Sequence, residues 1–76
     1  MELEKLCSIV AEVLGIEADS ITEDTAFVED LGADSLDMFQ IMMGAEETFD
    51  IEISSETADG LITVGEAVQE IRKAVG

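Results

Sequence analysis

Between Lys5 and Arg72 the chain carries 17 carboxylates and no cation to pair with them. Of its 19 acidic residues only Glu2 and Glu4 fall outside that stretch, and Lys73 is the last of just 3 basic residues. Self-repulsion of this size opposes any compact state. Folding must therefore draw on apolar burial, and 47% of the 76 residues are hydrophobic, which argues against disorder. The length suits one domain spanning residues 1–76, at a size where one core is only just large enough to be stable alone. A formal net charge of −16 repels nucleic acid and anionic membranes, keeps a small protein in solution, and suits partners with basic docking patches.

The apolar residues are spaced for helices. Leu3, Leu6, Cys7, Val10, Val13 and Leu14 recur on one face, Glu4, Ser8 and Glu12 lie opposite, and Gly15 supplies a helix stop. From Ile16 to Ala33 no helical period persists. Ser20, Thr22, Asp24, Thr25 and Gly32 interrupt it, while Ile21, Phe27, Val28 and Leu31 read as anchors pinning a loop to the core. So long a connection in so small a domain is often functional. A second helix, capped by Asp34 or Ser35, runs to about Phe49. Ile51-Glu52-Ile53 alternates like a strand but is too short and isolated to make a sheet. Ser54 to Leu61 holds a short helical turn. In the last helix Thr63 and Glu66 form a capping box, and Val64, Ala67, Val68, Ile71 and Val75 make the stripe. Arg72 and Lys73 complement its dipole. The expected fold is all-α: a small bundle of three main helices plus one short helix, with a long first loop.

The residues exclude most catalytic chemistry. There is no histidine and no lysine near Ser35, so a serine hydrolase triad cannot be assembled. One cysteine without histidine gives neither a Cys–His pair nor a zinc site. Calcium-loop and phosphate-loop spacings are absent. Cys7, on the buried stripe, is a small core residue, and a lone cysteine fits a reducing compartment. No stretch is long and apolar enough to span a membrane, and Met-Glu-Leu-Glu-Lys lacks the features of a signal peptide, so a cytoplasmic protein is expected.

Ser35 can nevertheless be a substrate. It sits where a turn meets a helix start, exposed among backbone amides that stabilise an attached phosphodiester. On a wheel of about 100° per residue, Met38, Ile41, Met42, Ala45 and Phe49 form a core face of this helix. Leu36, Phe39 and Met43 cluster elsewhere, flanked by Gln40, Glu46 and Glu47, as an apolar patch rimmed by acid that reads as a docking face.

The run Phe27-Val28-Glu29-Asp30-Leu31-Gly32-Ala33-Asp34-Ser35-Leu36-Asp37 resembles the modification site of acyl carrier proteins. Glu46-Glu47-Thr48-Phe49-Asp50-Ile51-Glu52-Ile53 downstream and the helix spacing extend that resemblance over essentially the whole chain. It implies that Ser35 carries covalent 4′-phosphopantetheine, made from coenzyme A by a phosphopantetheinyl transferase, whose thiol bears acyl groups as thioesters. It further implies a non-catalytic carrier for fatty acid biosynthesis, or a discrete polyketide-type carrier, recognised by acyl-processing synthases through the second helix. Asp34, Leu36, Asp37, Phe39, Gln40, Met43, Glu46 and Glu47 are then the expected partner contacts of a monomer, with no metal site required. Met38 and Met42 would let the bundle open around an acyl chain. Gln40 stands where the family commonly has Glu, and Ser54 where it often has Pro. Gly44 lies inside the second helix at a cost of about 1 kcal/mol relative to alanine. From a different class, an acidic interaction module without a cofactor would need no Ser35.

Lowering the repulsion should stabilise the fold. Added magnesium or moderate salt is expected to raise the melting temperature, by screening over roughly 10 Å at 0.1 M monovalent salt and by ion condensation, or by weak binding at Glu29, Asp30, Asp34 and Asp37. Thermal unfolding followed by circular dichroism across a salt series checks this, and a melting temperature indifferent to both would refute it.

Overall fold

The computed structural model describes residues 2–75; Met1 and Gly76, the ends of the expected domain, lie outside the described residues. Four α-helices follow one another: α1 (Glu2–Leu14), α2 (Ser35–Phe49), α3 (Ser55–Gly60) and α4 (Val64–Val75). No strand is present among the described residues. Helix α1 packs against both α2 and α4, while α3 touches α2.

The long connection from α1 to α2 begins at a left-handed Gly15 (φ +70°). The amides of Gly15 and Ile16 both return to the Ala11 carbonyl, at 2.8 and 3.0 Å, which satisfies the frayed helix end. A 3₁₀ turn at Ala18–Ser20 interrupts the connection, a local element that the sequence pattern did not indicate. Ile21 and Phe27 then enter the core, and Leu31 is half-buried against it. Val28, expected as a fourth anchor, instead stands 65% exposed. The tight turning of this stretch explains the difference. Asp30 and Leu31 donate to the Ala26 carbonyl, Gly32 to Val28 and Ala33 to Phe27. Neighbours in such a turn face opposite ways, so Phe27 takes the interior and Val28 is left outside.

This connection is stitched to the start of α4. Ala26 and Thr63 form an isolated antiparallel bridge, with Phe27 donating to the Ile62 carbonyl at 3.0 Å and Val64 to Thr25 at 2.9 Å. Thr63 caps α4 as expected, its hydroxyl accepting the Glu66 amide at 3.2 Å. The reciprocal half of the box differs, because the Glu66 carboxylate accepts from Ile62, one residue before the cap. Val64, Ala67, Val68 and Ile71 are buried, but Val75 is half-exposed, since by its last turn α4 has run past the core. Ile51 and Ile53 alternate inward with Glu52 outward, yet they form a strap along the core. The expected short turn is α3, capped by the Ser54 hydroxyl on the Thr57 amide, so serine in place of proline supplies a cap here.

The core is one cluster centred on Leu6, Val10, Phe27, Ile41, Val64, Val68 and Ile71, none of which is appreciably exposed. Cys7 lies within it, its Sγ 3.9 Å from the Ile21 carbonyl, and burial pushes its thiol above the ordinary value. Arg72 pairs with Glu2 at 3.3 Å, tying the two ends of the described chain together. A backbone hydrogen bond, and then this contact, hold the Glu2 carboxyl below its ordinary value.

Two helical glycines differ in what surrounds them. A Cβ on Gly44 would meet Cγ2 of Ile9 at 2.9 Å, so this glycine lets α1 and α2 approach closely. Ile9 is only half-buried and can give way. A Cβ on Gly65 would meet the Glu23 carbonyl oxygen at 3.0 Å, and that oxygen is held by the Gly65 amide at 2.9 Å. Gly44→Ala should therefore stay within about 1 kcal/mol of wild type, as gained helix propensity offsets the shift of Ile9. Gly65→Ala should destabilise by ~1–3 kcal/mol. Urea titration of both variants measures the contrast, and equal losses would contradict it.

Candidate functional site

The turn into α2 is held by two carboxylates on two backbone amides. Asp34 is the N-cap, with extended backbone at φ −99° and ψ −174°. Its side chain accepts from the Asp37 amide at 2.8 Å, and Asp37 accepts from the Asp34 amide at 3.2 Å. Of the two residues that could have capped the helix, the structure selects Asp34. Ser35 becomes the first helical residue, and its side chain is released from capping and exposed. Upstream, Gly32 adopts φ +67°, a left-handed conformation that lets the chain reverse immediately before the helix. Ser35 thus stands at the positive end of the α2 dipole, among first-turn amides that face outward.

Beside Ser35 opens a cleft of about 810 Å³, within the size range of small-molecule sites. Helix α2 contributes Met38, Phe39, Met42, Met43 and Glu46 to it, and the first connection contributes Val28. The far wall is Ile53, Ser55, Ala58, Asp59 and Leu61, from α3 and its flanks. Met38 and Met42, singled out from sequence as adaptable, both line this cleft. The residues missed were Val28, Ala33 and the whole α3 wall. A short apolar pair in a turn and a six-residue helix carry no periodic signal that could have found them.

The two apolar faces of α2 separate in the structure. Ile41, Met42 and Ala45 are buried, with Met38 and Phe49 half-buried against the core. Leu36, Phe39 and Met43 are 62%, 61% and 44% exposed. Gln40 and Glu47 lie exposed beside them. Glu46 is half-buried, and its carboxylate accepts the Ile53 amide at 2.7 Å. The four acids considered for a weak cation site are largely engaged: Asp30 accepts the Ala26 amide at 2.8 Å, and Asp34 and Asp37 bind each other's amides. Among the described residues no three potential ligands converge on a metal position, and no helix is long and apolar enough to cross a membrane.

The chain is thus a small helical domain with an exposed serine at a helix start and an apolar cleft beside it. The comparisons give this domain its family. The family model described as "Phosphopantetheine attachment site" matches residues 4–71, which include Ser35 and all of α2 and α3. An acyl carrier protein of Prochlorococcus marinus (strain MIT 9515) is 50% identical over 74 residues, covering 97% of this chain and 92% of the relative. A solved chain assigned as an acyl carrier protein, from Mycobacterium tuberculosis, superposes with a TM-score of 0.90 at 32% identity, covering 96% of this chain and 97% of that one. This chain belongs to the acyl carrier protein family. Its cofactor is a covalently attached phosphopantetheine. The residues present fit such a group, since they offer an exposed hydroxyl at a helix start and an apolar cleft opening next to it.

The exposure of Phe39 has a direct thermodynamic consequence. Phe39→Ala should alter stability by no more than about 0.5 kcal/mol, whereas Ile41→Ala, two residues away and fully buried, should cost ~2–5 kcal/mol. Chemical denaturation distinguishes them, and a large loss for Phe39→Ala would place that ring in the core.

Proposed function

We propose that this chain carries acyl intermediates as thioesters on 4′-phosphopantetheine attached to Ser35, in fatty acid biosynthesis. The observation that carries the reading is the exposed Ser35 hydroxyl at the first position of α2, on the rim of the α2–α3 cleft. When bound, the arm supplies a terminal thiol on which acyl groups travel. The protein's own residues position and protect. The α2 dipole and first-turn amides favour the phosphodiester charge, and the methionine-lined cleft offers an apolar refuge.

The chain does not activate its own serine. It has no histidine, and its only cations are Lys5, Arg72 and Lys73, far from Ser35 in sequence, so the base comes from the transferase that uses coenzyme A. This supports a non-catalytic carrier that serves as a substrate for partner enzymes. Leu36, Phe39 and Met43 form the dry part of the docking face. Asp34, Asp37, Glu46 and Glu47 form its acidic rim, with Gln40 a neutral position in it, and together they suit transferases and synthases with basic patches. The reading is completed by a monomer working in the cytoplasm.

Incubation with a phosphopantetheinyl transferase and coenzyme A should add one phosphopantetheine to the wild type and none to Ser35→Ala, read by intact mass. In binding kinetics with the same transferase, Phe39→Ala should chiefly speed dissociation, by roughly the thirtyfold that ~2 kcal/mol represents. An unmodified wild type, or a modified alanine variant, would sink the carrier reading.

A further inference from the structure

The segment joining α2 to α3 is gathered onto one residue. The main-chain carbonyl of Glu46 accepts the amides of Asp50 and Ile51, the latter at 3.1 Å. The side chain of the same residue reaches seven positions along, where Oε2 accepts the Ile53 amide at 2.7 Å in a part-buried setting. Three anchor points, at Asp50, Ile51 and Ile53, therefore wrap residues 50–53 around the end of α2.

Ile53 is where this matters for the cleft. It is half-buried against the core and forms part of the wall of the 810 Å³ space beside Ser35. Glu46 and Ile53 also line a neighbouring recess of about 510 Å³, so the pair stands as the partition between the two. Immediately after Ile53 comes Ser54, the cap of α3. Helix α3 has only six residues and none of them is fully buried. So short a helix has little packing of its own to seat it, and its placement depends on the tether before it. Glu47, the adjacent acid, is exposed.

We propose that Glu46 is the positioning residue of the α2–α3 cleft. Its carboxylate clasps the Ile53 amide, seats α3, and thereby sets how far a chain delivered from Ser35 is shielded from water. Glu46 and Glu47, which look equivalent in sequence and both belong to the acidic rim, then differ in one respect: Glu46 alone also holds the wall of the cleft. The shielding half of the proposal rests on the carrier reading, and the clasp itself does not.

The clasp is tested on the apo chain by amide hydrogen exchange, followed residue by residue in solution for wild type, Glu46→Gln, Glu46→Ala and Glu47→Gln. Exchange at Ile53 should accelerate roughly tenfold or more in Glu46→Ala, together with the amides of α3, while α1 keeps its protection. Glu46→Gln, whose side-chain oxygen still accepts, should fall between, and Glu47→Gln should match wild type. Unchanged exchange at Ile53 in Glu46→Ala, or equal acceleration of every amide in the chain, overturns the clasp. For shielding, the transferase loads an octanoyl-phosphopantetheine, and hydroxylamine cleaves the thioester. Cleavage should be several-fold faster in Glu46→Ala than in wild type or Glu47→Gln. Equal cleavage rates alongside fast Ile53 exchange overturn the shielding role. Failure of the wild type to load would instead fault the carrier reading and leave the exchange result standing.

Discussion

With nineteen carboxylates and three cations, the acids of this chain cannot be satisfied by ion pairs, and the structure uses backbone amides in their place. Asp30 accepts from Ala26, Asp34 from Asp37, Asp37 from Asp34, Glu46 from Ile53 and Glu66 from Ile62. Each of these bonds lies at a junction: within the turn before α2, at its first residues, after its last, or at the entry to α4. A hydrogen bond to a charged group contributes ~1.5–3 kcal/mol, against ~0–1 kcal/mol for an exposed ion pair. The two ion pairs among the described residues, Arg72–Glu2 and Lys73–Glu70, are both exposed and lie towards the ends of the chain. Repulsion among the remaining acids is tolerated because the carboxylates at the junctions hold the connections that the helices alone could not.

This arrangement leaves the helices free to do one thing each. Helices α1 and α4 have plain amphipathic stripes and supply half of the buried core residues. Helix α2 is divided, with Ile41 and Ala45 turned inward and Leu36, Phe39 and Met43 outward. Phe27, buried from the first connection, closes the core at the point where that connection is bridged to α4. Because Phe27 is held there, Val28 is directed outward to the cleft, and Gly32 can turn the chain so that Asp34 caps and Ser35 leads α2. The exposed Ser35 hydroxyl, the apolar cleft and the exposed patch of α2 are therefore consequences of one packing solution.

Packing is thinnest on the α3 side of the molecule. Helix α3 buries no residue fully, and the cleft between it and α2 is lined by Met38, Met42 and Met43, side chains that adapt to irregular space at low cost. The opposite side of the molecule, where α1 packs on α4 and Gly44 lets Ile9 approach α2, is close-fitting.

Periodicity alone determined α1, α2 and α4, because a stripe repeated over three turns has only one regular conformation that buries it. The wheel of α2 likewise separated its inward from its outward apolar residues, and the turn-to-helix position of Ser35 was legible from Gly32, Asp34 and the run that follows. Four things became visible only in the folded chain, two through local turn and cap geometry and two through tertiary packing. Val28 and Phe27 are adjacent apolar residues with no period to rank them, and a tight turn chose which was buried. Asp34 and Ser35 are both competent caps, and the reciprocal bond with Asp37 chose between them. Glu46 and Glu47 are identical in sequence, and only the path of the chain after Phe49 brings the Ile53 amide to one and not the other. The wall of the cleft that faces α2 comes from a helix of six residues, too short to show a period, and it exists as a wall because of what it packs against.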